Sequence, residues 1–144
     1  MQAREARQED YGMLANWNRQ LQENEGSEVM CLAAIQSRLA AWISVGYSAV
    51  IFEEQIVVGY ALFRSADPEA EGSGVYLRQF YIDRAHRRKG YGTEAFKVLC
   101  SEVLCGQRIF LDALETNLTG HRFWESLGLA RYSTRYEFNV ESTG

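Results

Sequence analysis

Apolar residues recur at helical spacing twice before the chain turns to strand-like runs. Leu14, Trp17 and Leu21 lie three and four positions apart, which predicts an amphipathic helix over residues 8–21 after a short first strand over residues 2–7. Asn24-Glu25-Gly26-Ser27 interrupts it, and Ser27 is placed to cap a second helix. The apolar stripe of that helix runs through Val29, Leu32, Gln36, Leu39 and Ile43 and stops at Gly46. Residues 47–52 and 56–63 are β-branched and aromatic runs separated by Glu53-Glu54-Gln55, the pattern of a hairpin. Residues 64–74 are acidic and hold the only proline, Pro68, which marks them as a mobile loop. Residues 75–83 are apolar on both alternating faces except at Arg78 and Gln79, as a central strand covered on both sides requires. Tyr91, Ala95, Leu99 and Val103 then trace one face of a helix over residues 90–105, with Glu94, Lys97 and Ser101 on another. A strand over 108–114 follows. A helix over 117–127, closed by Gly128 and carrying the pair Phe123 and Leu127, precedes a last strand or hairpin over 132–140.

Composition narrows the classes open to this pattern. At 144 residues and 47% hydrophobic content the chain suits one well-packed core, so a single domain over 1–144 is expected. No apolar run approaches membrane-spanning length, and no basic start leads into an apolar stretch with a cleavage site; a soluble, cytoplasmic protein with no membrane partner is the expectation. Cys31, Cys100 and Cys105 are an odd set without CxxC spacing, and with His86 and His121 as the only histidines they make no plausible metal site. Reduced, mostly buried thiols are expected instead. A formal charge of −4 argues against nucleic acid as the main partner, although Arg84, Arg87, Arg88 and Lys89 form a local basic cluster suited to something small.

That cluster runs into the one stretch that states a chemistry, Arg87-Arg88-Lys89-Gly90-Tyr91-Gly92. Gly90 and Gly92 remove Cβ atoms where a turn must bring several amides near an anion, and the helix that opens after it presents a partially positive end. A Walker A loop is excluded by spacing, since lysine here precedes the glycine. A dinucleotide fingerprint lacks its third glycine: Gly90-Tyr91-Gly92 is followed by Thr93-Glu94-Ala95.

The strand Phe80-Tyr81-Ile82-Asp83, the R-x-x-G-x-G turn, the helix, the next strand and N-x-x-G-x-x-F-W-x-x-x-G-L from Asn117 through Leu129 together resemble the GNAT family of N-acetyltransferases, with the match spread over residues 75–129. The resemblance implies an α/β fold of α+β type: one GNAT-like domain with a mixed, mainly antiparallel sheet, helices on both faces, and two splayed parallel strands at the cofactor site. It implies acyl transfer from acetyl-CoA to a primary amine by direct attack in a ternary complex, with no metal. Arg87, Arg88, Lys89, Gly90, Tyr91, Gly92 and Thr93 would hold the coenzyme A pyrophosphate. Phe80, Tyr81 and Ile82 would pair with the pantetheine amides like an added strand, one strand amide facing the thioester carbonyl. Asn117 would steady the pantetheine arm or cap its helix.

A protonated amine cannot attack a thioester, and a lysine-like amine is only about one part in a few thousand neutral at pH 7. By likeness to relatives with a carboxylate on the second parallel strand, Asp112 is the first candidate for general base, ahead of Glu28, Glu53 and Asp83. Tyr76 stands where other relatives place a glutamate. The family's usual tyrosine acid is replaced by Trp124, whose indole N–H is no usable acid; Trp124 packs near the coenzyme sulfur or beside Phe123. Tyr132 or Tyr136 could replace the acid, and a thiol of pKa about 8.5 leaves tolerably without one. His86 suits packing and His121 an exposed helix face. The departure at Trp124 keeps open a non-catalytic acyl-CoA-binding or sensor module. The acceptor, a small molecule or peptide amine, would meet the two N-terminal helices, the 64–74 loop and the last strands, and a final strand could pair across a homodimer.

Overall fold

A computed structural model describes residues 1–143. Residues 1–112 form one compact unit, and the chain from Ala113 onward forms a second. In the first unit five strands, β1 (Gln2–Glu5), β2 (Ser48–Glu54), β3 (Ile56–Ser65), β4 (Val75–Ile82) and β5 (Ile109–Phe110), lie side by side in chain order. The first three pairings are antiparallel and β4–β5 is parallel, so the sheet is mixed and the expected α/β class holds. The hairpin β2–β3 is tighter than its sequence suggests: Gln55 alone, at φ 66°, turns the chain between the paired residues Glu54 and Ile56.

Two helices, α1 (Tyr11–Glu25) and α2 (Leu32–Ser44), cover one face of this sheet. Leu14, Ala15 and Trp17 from α1 and Ile35 and Leu39 from α2 pack on Ala49, Ile51, Tyr60, Leu62 and Tyr81, all nearly or wholly buried. The indole of Trp17 stacks on Tyr60 at 6.0 Å. A third helix, α3 (Tyr91–Val98), covers the opposite face, where Phe80 lies between Phe52 and Phe96 at 5.7 and 6.0 Å. The helix expected to run to residue 105 instead passes into a π-helical turn over Leu99–Val103.

Four sequence expectations are corrected. The second helix starts at Leu32, with Cys31 and not Ser27 at its N-cap, and its buried positions are Ile35 and Leu39; Val29 and Gln36 are exposed. The cause is local: the amides of Gly26 and Ser27 close α1 on Gln22, and the Gln22 side chain accepts from the Met30 amide at 2.9 Å, holding residues 27–31 outside any helix. The second parallel strand is two residues long and not seven. No strand forms over 132–140, where Tyr132, Tyr136, Phe138 and Val140 are more than four-fifths exposed. Cys31 and Cys105 are exposed, and Cys100 is partly so. The acidic 64–74 loop is also more tied down than its composition implies: Arg64 grips Glu71 through two bonds of 2.7 and 3.0 Å, and Arg108 donates to the carbonyls of Glu71 and Ser73.

The second unit holds α4 (Leu118–Ser126). Asn117 caps it, its side-chain oxygen accepting from the Gly120 amide at 3.0 Å. Phe123 and Trp124 meet edge to face at 4.9 Å, yet no residue of α4 is buried, so neither is a core aromatic. The His121 ring lies 2.9 Å from the Leu114 carbonyl, which places it against the turn before α4 and not free on the helix surface.

Candidate active site

Strand β4 is the spine of the site. It matches β3 in register from Val75 to Leu77 and again from Gln79 to Ile82, with Arg78 the unmatched extra residue. This is a β-bulge. Beyond it the alternation of faces is reset: Leu77 and Phe80 lie on the α3 side, while Arg78 and Gln79, consecutive in sequence, both reach the α1–α2 side. Two adjacent polar residues in an otherwise apolar strand were the sequence's only sign of it.

On its other edge β4 meets β5 only at Val75–Ile109 and Tyr76–Phe110. From Leu77 to Ile82 that edge is unpaired among the described residues. The Asp83 amide donates to the Val58 carbonyl in β3 at 2.8 Å, so by strand alternation the backbone groups of Tyr81 face β3 and those of Phe80 and Ile82 face the open edge. Of the three residues expected to bind by their backbone, Phe80 and Ile82 therefore face the open edge, the Ile82 carbonyl being already taken by the Arg87 guanidinium at 3.3 Å. Tyr81 is buried, its hydroxyl donating to Gln20 at 3.0 Å.

The glycine turn follows directly. Arg88 and Gly90 have φ of 64° and 75°, and Gly90 is the N-cap of α3. A Cβ at Gly90 would touch nothing, so glycine serves there for its backbone freedom and for the bare approach it leaves. The first intrahelical bond runs from Glu94 to Gly90, which leaves the amides of Tyr91, Gly92 and Thr93 without helical acceptors at the positive end of α3. Arg88 and Lys89 are exposed beside them. Arg87 is not directed there: its guanidinium lies over the Tyr81 ring at 4.8 Å and donates to the Ile82 carbonyl at 3.3 Å. The turn also brings His86 to 6.5 Å from the Tyr91 ring, a packing position.

A cleft of about 320 Å³ opens on the α1–α2 side of β4. Its lining includes Asn18, Gln22, Glu25 and Glu28 around the end of α1, Arg38 and Trp42 from α2, and Tyr76, Arg78 and Gln79 from β4. None of these except Glu28 and Tyr76 was a candidate from sequence. Asn18 organises the floor: its amide donates to Gln79 at 2.7 Å and to the Tyr60 hydroxyl at 3.2 Å, while its oxygen accepts from Gln22 and Arg38. Tyr60 in turn donates to Gln79 at 2.8 Å, and burial pushes its phenol well above the ordinary range, so it stays a neutral donor. At the β5 end, the Tyr76 hydroxyl donates to Asp112 Oδ2 at 3.2 Å. Burial first, and then the Asp112 charge, raise the Tyr76 phenol, which fixes the proton on tyrosine. The site thus joins an open strand edge, a helix start with amides lacking helical acceptors and a polar cleft, with β4 as their common wall.

Residues 4–129 match the profile described as the acetyltransferase (GNAT) family. A "Probable spermine N(1)-acetyltransferase" of Bacillus subtilis subsp. natto is 29% identical over 97 residues, a match that spans 63% of this chain and 63% of that protein's length. The crystal structure of a possible acetyltransferase from Clostridium difficile 630 superposes with a TM-score of 0.75 at 21% identity over 98% of both chains. A predicted acetyltransferase from Clostridium acetobutylicum, crystallised with acetyl-CoA, gives 0.69 at 17% identity over 95% of this chain and 94% of that one.

Proposed function

This chain belongs to the acetyltransferase (GNAT) family, and from that premise we propose that it transfers the acetyl group of acetyl-CoA to a primary amine by direct attack in a ternary complex. The observation that carries the reading is the open edge of β4 running into the unpaired amides at the start of α3. Those groups fit an acyl thioester on a long diphosphate: Phe80 with its amide and carbonyl and Ile82 with its amide offer strand-type bonds to the arm, and Tyr91, Gly92 and Thr93 with Arg88 and Lys89 suit the diphosphate. Bound there, acetyl-CoA supplies an electrophilic thioester carbonyl.

The chain's own groups then handle charge and protons. The neutral amine forms a bond to the carbonyl carbon, the carbon–sulfur bond breaks, and the sulfur leaves as thiolate. An amide on the open β4 edge steadies the oxyanion. Asp112 takes the amine proton, with the Tyr76 hydroxyl between its carboxylate and the cleft. The thiolate is protonated from water. The name of the Bacillus relative supports an amine acceptor.

Calorimetric titration with acetyl-CoA tests the donor half. Gly90→Glu puts a carboxylate beside the amides proposed to hold the diphosphate, and like-charge repulsion there is expected to lower affinity at least about tenfold, while the side chain at φ 75° separately costs folding stability. Unchanged binding would remove the turn from the reading. Binding without thiol release from any amine would favour a sensor module instead. Asp112→Asn is expected to lower turnover about a hundredfold across pH 6–9, the scale of a lost general base; Tyr76→Phe should lower it less, with an altered pH profile.

A further inference from the structure

The cleft carries charge that no family-level reading explains. The guanidinium carbons of Arg38 and Arg78 lie 4.6 and 4.4 Å from the centroid of the same Trp42 ring. Two like charges are therefore held against one indole on the cleft wall. Their hydrogen bonds go to neutral groups, Arg38 to Asn18 Oδ1 at 3.2 Å and Arg78 to the Tyr47 hydroxyl at 3.1 Å. Neither forms an ion pair among the described residues, whereas Arg4, Arg64, Arg84 and Arg131 all do. The Arg38 Nε is buried without a hydrogen-bond partner, an unmade bond that costs stability. Desolvation, and secondarily the charge of Arg78, lower the proton affinity of Arg38. A folded chain that keeps two guanidinium groups without a carboxylate partner together in a cleft has placed them where an oxyanion would offset their mutual repulsion.

Position makes the charge useful. The β4 bulge at Arg78 aims that side chain into the cleft beside Gln79, on the strand whose other edge is open. Glu25 at the end of α1 and Glu28 in the loop after it line the cleft with the opposite sign. A polycation would have to seat part of its charge against Arg38 and Arg78.

We propose that the acceptor is an amine that also carries an oxyanion, a carboxylate or phosphate group, which Arg38 and Arg78 bind against Trp42 while the amine is presented toward the open edge of β4. This rests on the acetyl-transfer reading above.

The test compares acceptors matched in size. Thiol release from acetyl-CoA is measured with aminocarboxylates from glycine through γ-aminobutyrate to aminohexanoate, with phosphoethanolamine, and with butylamine and putrescine as partners lacking an anion. At least one anion-bearing amine should exceed butylamine and putrescine in kcat/KM by about thirtyfold or more, and which of the carboxylate and phosphate series leads identifies the oxyanion. In Arg78→Ala, and in Arg38→Lys as a variant that keeps the α2 packing, that ratio should fall about tenfold or more through KM. Butylamine or putrescine matching or exceeding every anion-bearing amine would overturn the proposal, as would a ratio unmoved in both variants. If acetyl-CoA binds yet no amine releases thiol, the transfer reading fails, and the cleft is judged by Trp42 fluorescence with Trp42→Phe as blank. Saturable change with γ-aminobutyrate or inorganic phosphate, lost in Arg78→Ala, would support the anion site; no change would overturn it.

Discussion

Asn18 is 1% exposed and uses both its oxygen and its amide, contacting Gln22, Arg38, Tyr60 and Gln79 at once. A polar residue so buried, and so fully bonded, specifies where its neighbours point. Asn18→Ala strands several buried groups one bond short, and a loss of about 2–3 kcal/mol is expected in urea unfolding. Because Arg38 and Gln79 are also released, KM for the acceptor should rise more than kcat falls. A stability change under about 0.5 kcal/mol would mean that the network is not formed in solution. In the sequence Asn18 lies four residues after Leu14 and three before Leu21, a polar residue on the apolar stripe of α1. What distinguishes it is Gln79, sixty-one positions away, which no local pattern brings to mind.

At the scale of elements, β3 and β4 approach so closely that a Cβ on Gly59 would collide with the carbonyl oxygen of Tyr81. Both atoms belong to ordered backbone, so Gly59→Ala should destabilise by about 1–3 kcal/mol, as overpacking does, and thermal unfolding monitored by circular dichroism should show the lowered midpoint. Most elements of the first unit were legible because each obeys one period: α1, α3 and the strands β2 to β4 announce themselves by spacing. The start of α2 did not, because the Gln22 side chain and the close of α1 on Gly26 overrode the stripe that seemed to begin at Val29. The end of β5 did not either, since Leu111 and Leu114 continue the apolar pattern without entering the ladder. For the site, the glycine turn and the β4 edge could be read directly. The cleft could not, because its walls come from α1, α2 and β4 and only folding makes them neighbours.

For the chain as a whole, acid sensitivity follows from two gripped carboxylates. The fork of Arg4, at 2.8 and 3.1 Å, holds Asp10 down to about 2, and the fork of Arg64 holds Glu71 to about 2. In the unfolded chain both groups bind protons near their ordinary values of about 4. Their contribution is therefore complete above those values and is lost as pH falls through the range from about 4 to about 2. Urea midpoints measured between pH 2 and 6 should be level above about 5 and decline steeply below 4. Arg4→Ala and Arg64→Ala should each flatten the decline while lowering the plateau. A slope identical to the parent in both variants would mean that other carboxylates control acid unfolding. No helix among the described residues is long and apolar enough to cross a membrane.

The extra residue at Arg78 has an evolutionary consequence. Exchanging its side chain alters what the cleft selects but leaves every strand partner in place, so the position can be varied to change acceptors at little cost to folding. Removing it restores an uninterrupted ladder in which Gln79 through Ile82 keep their β3 partners and their faces, so Phe80 stays on Phe96 and Tyr81 in the α1 core while the cleft loses a guanidinium. In a library of single-codon changes, substitutions at this codon and its deletion should both survive selection for soluble protein, whereas deletion of Tyr81, a paired residue of the same strand, should be depleted.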